Sequence, residues 1–307
     1  MLDYFAQHAR RGFTRPFYRD LCSALTELDV ACPGISTELI HRLSAISGHG
    51  EPQFDQLLQV LAEIHVLRGV AERAAAHGFE FNHEPGNAGS KNPECEVAIG
   101  SDWLAIEVKC PSLTKFRRQR AAASEQLLAR LPKPFVKPGT LRPRDNPVKD
   151  FLLSSDDKFR EYSEYRADAR HVLAVVWDDF IQEPVSALLN PGSGLLTPSS
   201  FAKDENREPL TFRHVDAVLL IRHLHELSAA TREEPFVGAM STFDYHGIAF
   251  PPKVLIPCPG GRPLAVEMAQ CLGAVPLEAV EHFAEYRSPD LIWWIDSDAP
   301  EGSRDEN

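Results

Sequence analysis

Three glutamates and one lysine crowd a single stretch of the chain, Asn92 to Pro111, which reads Asn-Pro-Glu-Cys-Glu-Val-Ala-Ile-Gly-Ser-Asp-Trp-Leu-Ala-Ile-Glu-Val-Lys-Cys-Pro. The glutamates are Glu94, Glu96 and Glu107, and the lysine is Lys109. Side chains along a strand alternate between faces with period two. Cys95, Val97 and Ile99 therefore oppose Glu94, Glu96 and Ala98, and Leu104, Ile106 and Val108 oppose Ala105, Glu107 and Lys109. Two short strands joined by a tight turn at Gly100-Ser101-Asp102 would make a hairpin with one apolar face and one charged face. Acids held that close repel unless a cation neutralises them, which is the logic of a divalent-metal site.

The elements around this hairpin would have to position it. Upstream, about Pro52 to Ala76 is the longest periodic segment: Phe54, Leu57, Leu58, Leu61 and Ile64 form one stripe, widened by Val60, Leu67, Ala71 and Ala74. A helix apolar over so much of its surface is largely buried. Glu63 within it is then a carboxylate near buried surface, which costs free energy unless it is paired or metal-bound. The competing reading puts Glu63 at the edge of the stripe, exposed or paired with Arg68. A strand follows at Phe79 to Phe81. Downstream, a helix is expected from Lys115 to Leu131, then an extended loop dense in prolines (Pro132, Pro134, Pro138, Pro143, Pro147), then a helix from Asp156 to Ala169. His171 to Trp177 and Asp216 to Arg222 are apolar runs typical of strands covered on both faces.

In this order, a helix, two strands, Pro93-Glu94 and then Glu107-Val108-Lys109 at the end of an apolar strand, the chain resembles the PD-(D/E)XK nuclease superfamily. The likeness covers roughly Phe54 to Pro111 and extends towards Val176; it does not reach the N-terminal fifth or the C-terminal third. It implies an α/β fold: a restriction endonuclease-like core, a mixed sheet flanked by helices, with extra N-terminal helices and a C-terminal α+β extension. It also implies Mg²⁺ or Mn²⁺ held by Glu94 and Glu107, with Glu96 as an alternative to Glu94. Lys109 would orient the attacking water, and Glu63 would support a ligand water or a second metal. The activity implied is phosphodiester hydrolysis of nucleic acid, DNA ahead of RNA. The alternative is a catalytically inactive protein of this fold that binds nucleic acid or a partner. The first acid is Glu where Asp is commoner. The later helix offers Lys158, Tyr162 and Tyr165 in place of the Gln-x-x-x-Tyr element of RecB-like members.

Charge distribution bears on the substrate. The formal net charge is −12, unfavourable for phosphate binding, which is mainly electrostatic. From Lys109 to Lys149, however, 11 Lys or Arg face only Glu125 and Asp145, a net of +9, which leaves −21 on the rest. Within that block Lys115, Arg117, Arg118 and Arg120 are the candidate phosphate ligands, against the alternative of a solvated helix of mixed charge. The resulting organisation is 1–50 as an N-terminal helical segment, 51–235 as the nuclease-like core with a basic proline-rich insertion at 112–150, 236–297 as a C-terminal extension, and 298–307 as an acidic tail expected to be disordered.

The N-terminal segment is read as one helix over Arg15 to Val30 and a second capped by Ser36. In the C-terminal extension, strands are expected at Gly247 to Phe250, Val254 to Pro257 and Asp290 to Ile295, with helices at Pro263 to Leu272 and Leu277 to Arg287. Six cysteines without a C-x-x-C pair, no apolar run near the ~20 residues of a membrane span and no secretory signal point to a reduced, cytoplasmic protein. A homodimer is compatible with this reading. Gly86 to Lys91 misses the phosphate-loop spacing, Gly192-Ser193-Gly194 lacks the nucleophile elbow, and Trp293-Trp294 is read as core. His223 and His225 lack metal-site spacing and are read as surface residues.

Overall fold

The computed structural model describes residues 15–48, 50–86, 91–112, 114–123, 125–127, 138–232, 234–247, 253–277 and 293–295. Two helices, α1 (Arg15–Ala31) and α2 (Ile35–Ala45), lead into the 26-residue α3 (Glu51–Ala76). Strands β1 (Glu80–His83), β2 (Cys95–Ile99) and β3 (Asp102–Lys109) follow, then α4 (Thr114–Ala122) and β4 (Glu125–Leu127). Next come α5 (Asn146–Tyr165), β5 (Arg170–Trp177), α6 (Gln182–Leu189), β6 (Ala217–Arg222) and α7 (Leu224–Ala230). The last described elements are β7 (Lys253–Pro257), α8 (Val266–Leu272), β8 (Val275–Pro276) and β9 (Trp293–Ile295).

Seven strands form one mixed sheet in the order β1-β2-β3-β5-β6-β7-β8, and β4 pairs with β9 apart from it. The first three run as an antiparallel meander, β5 and β6 join in parallel, and β7 reverses direction. With eight helices among the described residues, the fold is mixed α/β. At one edge β2 and β3 are joined by a tight turn at Gly100-Ser101, while 11 residues separate β1 from β2. The parallel step from β3 to β5 requires a long crossover, which α4, β4 and α5 supply.

The alternation that marked the hairpin sorts its two faces. Leu104, Ile106 and Val108 enter the core shared with α1–α3, while Ala105 enters the core shared with α5 and α6. Gly100 takes φ +63°, the left-handed value that the first central position of such a two-residue hairpin turn requires, and Ile99 pairs with Asp102 across it. The α3 stripe is buried as its periodicity implies: Leu57, Leu61 and Ile64 have no exposed surface, each contributing about 1.5–3 kcal/mol through burial. Gly69 lets the helix approach the ring of Tyr245, whose Cγ lies only 2.0 Å from where a Cβ would stand.

Several local expectations are corrected. The helix after Pro111 ends at Ala122 instead of Leu131, and β4 follows it. Ser36 lies inside α2, whose N-cap is Gly34, and its amide and hydroxyl, with the Gly34 amide, donate to Asp29 Oδ1 at the end of α1. The helix expected from Asp156 begins ten residues earlier, at Asn146, and ends at Tyr165. The strand expected at Gly247 to Phe250 and the helix at Leu277 to Arg287 lie, after their first residue, outside the described residues, as does the tail at 298–307. No described helix is long and apolar enough to cross a membrane.

A candidate metal centre on the hairpin face

Glu107 is the centre of the charged face and has no solvent exposure. It sits mid-register in the sheet, paired with Leu173 of β5, and points to the α5 side. Its Oε1 lies 2.7 Å from Lys109 Nζ on the same strand, and its Oε2 lies 2.7 Å from Lys158 Nζ on α5. Both buried oxygens are therefore held by charge contacts to ammonium groups. Lys158 also stands 3.7 Å from Glu94 Oε1.

Helical spacing explains how α5 reaches along the hairpin. Lys158 and Tyr162, four residues apart, share one face, and Arg166 follows just past the helix end. Lys158 meets Glu107 and Glu94, Tyr162 donates its hydroxyl to Glu96 Oε2, and the Arg166 Nε lies 2.9 Å from the same carboxylate. The Arg166 guanidinium then stacks 3.4 Å over the Trp103 ring. Glu94 and Glu96 do share a face, as their spacing implies, but they have different partners. Glu96 is tied into a Tyr–Arg network, whereas Glu94 faces the Glu107 cluster.

Glu63 arrives from the other layer. It is 5% exposed on α3, and Arg42 of α2 grips its carboxylate with both terminal nitrogens. The partner expected from the sequence, Arg68, instead pairs with Glu27 and donates to the Phe243 carbonyl. Burial pushes the Glu63 carboxyl above its usual range, outweighing Arg42, and the charges of Glu84 and Glu107 push the same way. Burial, then Glu63 and Glu107, push the Glu94 carboxyl up to about 8 against the opposing charges of Lys158 and Arg42. Burial acts to lower the Lys158 ammonium, but Glu107 and Glu94 outweigh it and hold that group above the usual lysine range. Glu63, Glu94 and Glu107 thus act electrostatically as one set, drawn from α3, the start of β2 and β3.

The donors of this set are carboxylate oxygens, which suit a hard cation such as Mg²⁺ or Mn²⁺. Glu107, Glu94 and Glu63 fit it on that chemistry. Among the described residues, the one trio whose ligand atoms all lie within 4.8 Å of one another is Glu38, His83 and Glu84, the last of them exposed. The Glu63–Glu94–Glu107 set is wider, with Lys158 and Arg42 standing between its members.

The basic segment divides in two. Lys115 and Arg118 are exposed, with Arg118 lying 2.9 Å from Glu51. Arg117 donates to Ser228 Oγ at 2.8 Å and is partly buried. Arg120 is withdrawn from solvent: its guanidinium stacks 3.3 Å over Phe180 and lies 3.3 Å from Asp178 and 3.4 Å from Glu183. Arg144, the second cation of this buried network, reaches both acids at 2.9 and 2.8 Å. Burial pushes the Asp178 carboxyl up, yet Arg144 and Arg120 overcome that and hold it below the usual range. Arg120 is therefore placed as an interior counter-ion and does not face a phosphate.

His223 and His225 are not surface residues: they are 4% and 7% exposed. His223 bonds the Thr242 carbonyl at 2.8 Å through Nε2 and stacks on His65 at 3.7 Å. All six cysteines are free thiols.

No protein-family model matches the chain, and no curated protein or solved structure is significantly similar to it.

Proposed function

We propose that the chain is a divalent-metal-dependent nuclease of the PD-(D/E)XK type, hydrolysing phosphodiester bonds in nucleic acid, DNA ahead of RNA. The observation that carries this reading is Glu107: a fully buried carboxylate flanked by Lys109 two residues on and electrostatically joined to Glu94 and Glu63. The order of elements supports it, since α3, the β1–β3 meander, α5 and the parallel strand β5 follow the arrangement that the resemblance implies. In this reading Glu107 and Glu94 hold the metal and Glu63 supports it from α3. Mg²⁺ or Mn²⁺, when bound, supplies charge neutralisation at the phosphate and a more acidic water. Lys109, 28% exposed at its side chain, directs its ammonium to the water that attacks phosphorus and offsets charge developing there. The exposed Lys115 and Arg118 of α4 hold phosphates on the adjoining surface.

A second reading rests on one feature: both Glu107 oxygens already meet ammonium groups. A protein whose carboxylates are neutralised by its own lysines could bind nucleic acid without metal or catalysis. Incubation of linear, circular and single-stranded DNA with Mg²⁺, Mn²⁺ or EDTA, for wild type and Lys109→Ala, separates the two. The nuclease reading requires metal-dependent cutting that Lys109→Ala abolishes. DNA binding in EDTA with no cutting under any condition would replace it with the second reading.

A further inference from the structure

We infer that Lys158 is a built-in counter-cation that competes with a divalent metal for the Glu94–Glu107 carboxylates. This rests on the proposal that those carboxylates hold a metal. Its Nζ lies 2.7 Å from Glu107 Oε2 and 3.7 Å from Glu94 Oε1, so one ammonium bridges two acids contributed by neighbouring strands. A buried carboxylate pair without a cation is unstable through mutual repulsion and desolvation. Of the other neighbouring cations, Lys109 meets the opposite oxygen of the same Glu107 and does not reach across to Glu94 in an ion pair, and Arg42 is closed on Glu63.

The fold also gives Lys158 a way out. Its side chain retains 20% exposure and projects from a helix, on a flexible four-carbon stem that can turn to solvent without moving the backbone. Lys158 thus keeps the acids neutralised while metal is absent, and metal binding must displace it. Metal affinity is lowered by that displacement, so removing the ammonium raises affinity even though it deletes a native ion pair.

The test is Mn²⁺ binding to the full chain at fixed pH, read from the electron paramagnetic resonance signal of free Mn²⁺, for wild type, Lys158→Met and Glu107→Gln. Lys158→Met is expected to bind Mn²⁺ about tenfold more tightly, within the ~5–150-fold range usual for coupled binding. Glu107→Gln should lose the site, which also separates it from any Mn²⁺ taken by Glu38, His83 and Glu84. Unchanged or weaker binding by folded Lys158→Met overturns the inference. Should that variant fail to fold, ¹⁵N-lysine resonances of the wild type serve instead: the Lys158 Nζ signal must change on titration with Mg²⁺, and an unaltered signal at saturation overturns the inference. Binding that responds to Lys158 while no DNA is cut removes the nuclease reading and leaves the competition standing. Cutting with Mn²⁺ affinity indifferent to Lys158 does the reverse. Absence of Mn²⁺ binding to wild type removes both.

Discussion

Arg42 on α2 closes both terminal nitrogens on the carboxylate of Glu63 on α3, joining the N-terminal helices to the acid set beneath them. Removing one partner of a fully buried pair costs ~3–5 kcal/mol, but Arg42 is 37% exposed and water can partly replace it. Arg42→Ala should therefore lower stability by roughly 1–2 kcal/mol. Urea unfolding checks this, and a midpoint equal to wild type would show that the pair adds nothing.

Arg120→Ala should act on stability and not on DNA. Its guanidinium lies between Phe180, Asp178 and Glu183, and its removal takes away a buried cation that both acids share with Arg144. A decrease of about 2–4 kcal/mol is expected. Lys115→Ala with Arg118→Ala should instead flatten the salt dependence of DNA binding, by ~0.9 in log–log slope for each phosphate no longer neutralised. A salt slope that falls with Arg120→Ala and not with the pair would reverse these assignments.

The residues that were legible in the sequence are those whose pattern is local. Alternation exposed the hairpin and its charged face, and the apolar stripes exposed α1 and α3, because period follows from backbone geometry alone. α7 was not legible: all seven of its residues are buried, including His225, Glu226 and Ser228, so it has no polar face to give a helical period. Glu107 and Lys109 could be picked out as candidates, but Lys158 as the partner of Glu107 and Arg42 as the partner of Glu63 could not. Those pairings join residues 51 and 21 positions apart in sequence, and only packing brings them together. The same limit applies to Arg120, whose basic neighbours suggested a phosphate while its acids lie more than fifty residues downstream.

Gly69→Ala tests how closely α3 is packed. Alanine is the better helix former by about 1 kcal/mol. Its Cβ, however, would fall 2.0 to 2.5 Å from ring atoms of Tyr245, which is buried and tied through its hydroxyl to the Leu272 carbonyl at 2.9 Å. Overpacking of this kind costs ~1–3 kcal/mol or more, so the clash outweighs the propensity. Gly69→Ala should melt below wild type; a rise in melting temperature would mean that Tyr245 moves aside freely.

Buried histidines should make the protein acid-labile. Burial lowers His171, His223 and His225 to about 4 each, against about 6.5 for free histidine. The unfolded chain therefore binds more protons between these values, and stability from these groups is full above pH 6.5 and lost as pH falls towards 4. Glu94, raised to about 8, contributes the opposite slope, so the informative quantity is a difference between variants. His223→Gln, which can still donate to the Thr242 carbonyl, should shrink the drop in melting temperature between pH 7 and pH 5 relative to wild type. An equal drop would place the acid sensitivity elsewhere.

Glu94 and Glu96, two residues apart on one face, should separate by their partners. Glu96 is 2% exposed and already accepts from the Tyr162 hydroxyl and from Arg166, which leaves it little capacity for a metal. Glu94 has Lys158 at 3.7 Å and otherwise faces the charges of Glu63 and Glu107. Glu94→Gln should weaken Mn²⁺ binding by at least about tenfold, the lower end of what disturbing a metal site costs, and should relieve repulsion in the metal-free protein. Glu96→Gln should leave Mn²⁺ affinity unchanged and lower stability, because a neutral amide cannot balance Arg166. Calorimetric titration and thermal melts of both variants decide the matter. A Glu96→Gln protein that melts like wild type yet loses Mn²⁺ would exchange the roles of the two acids.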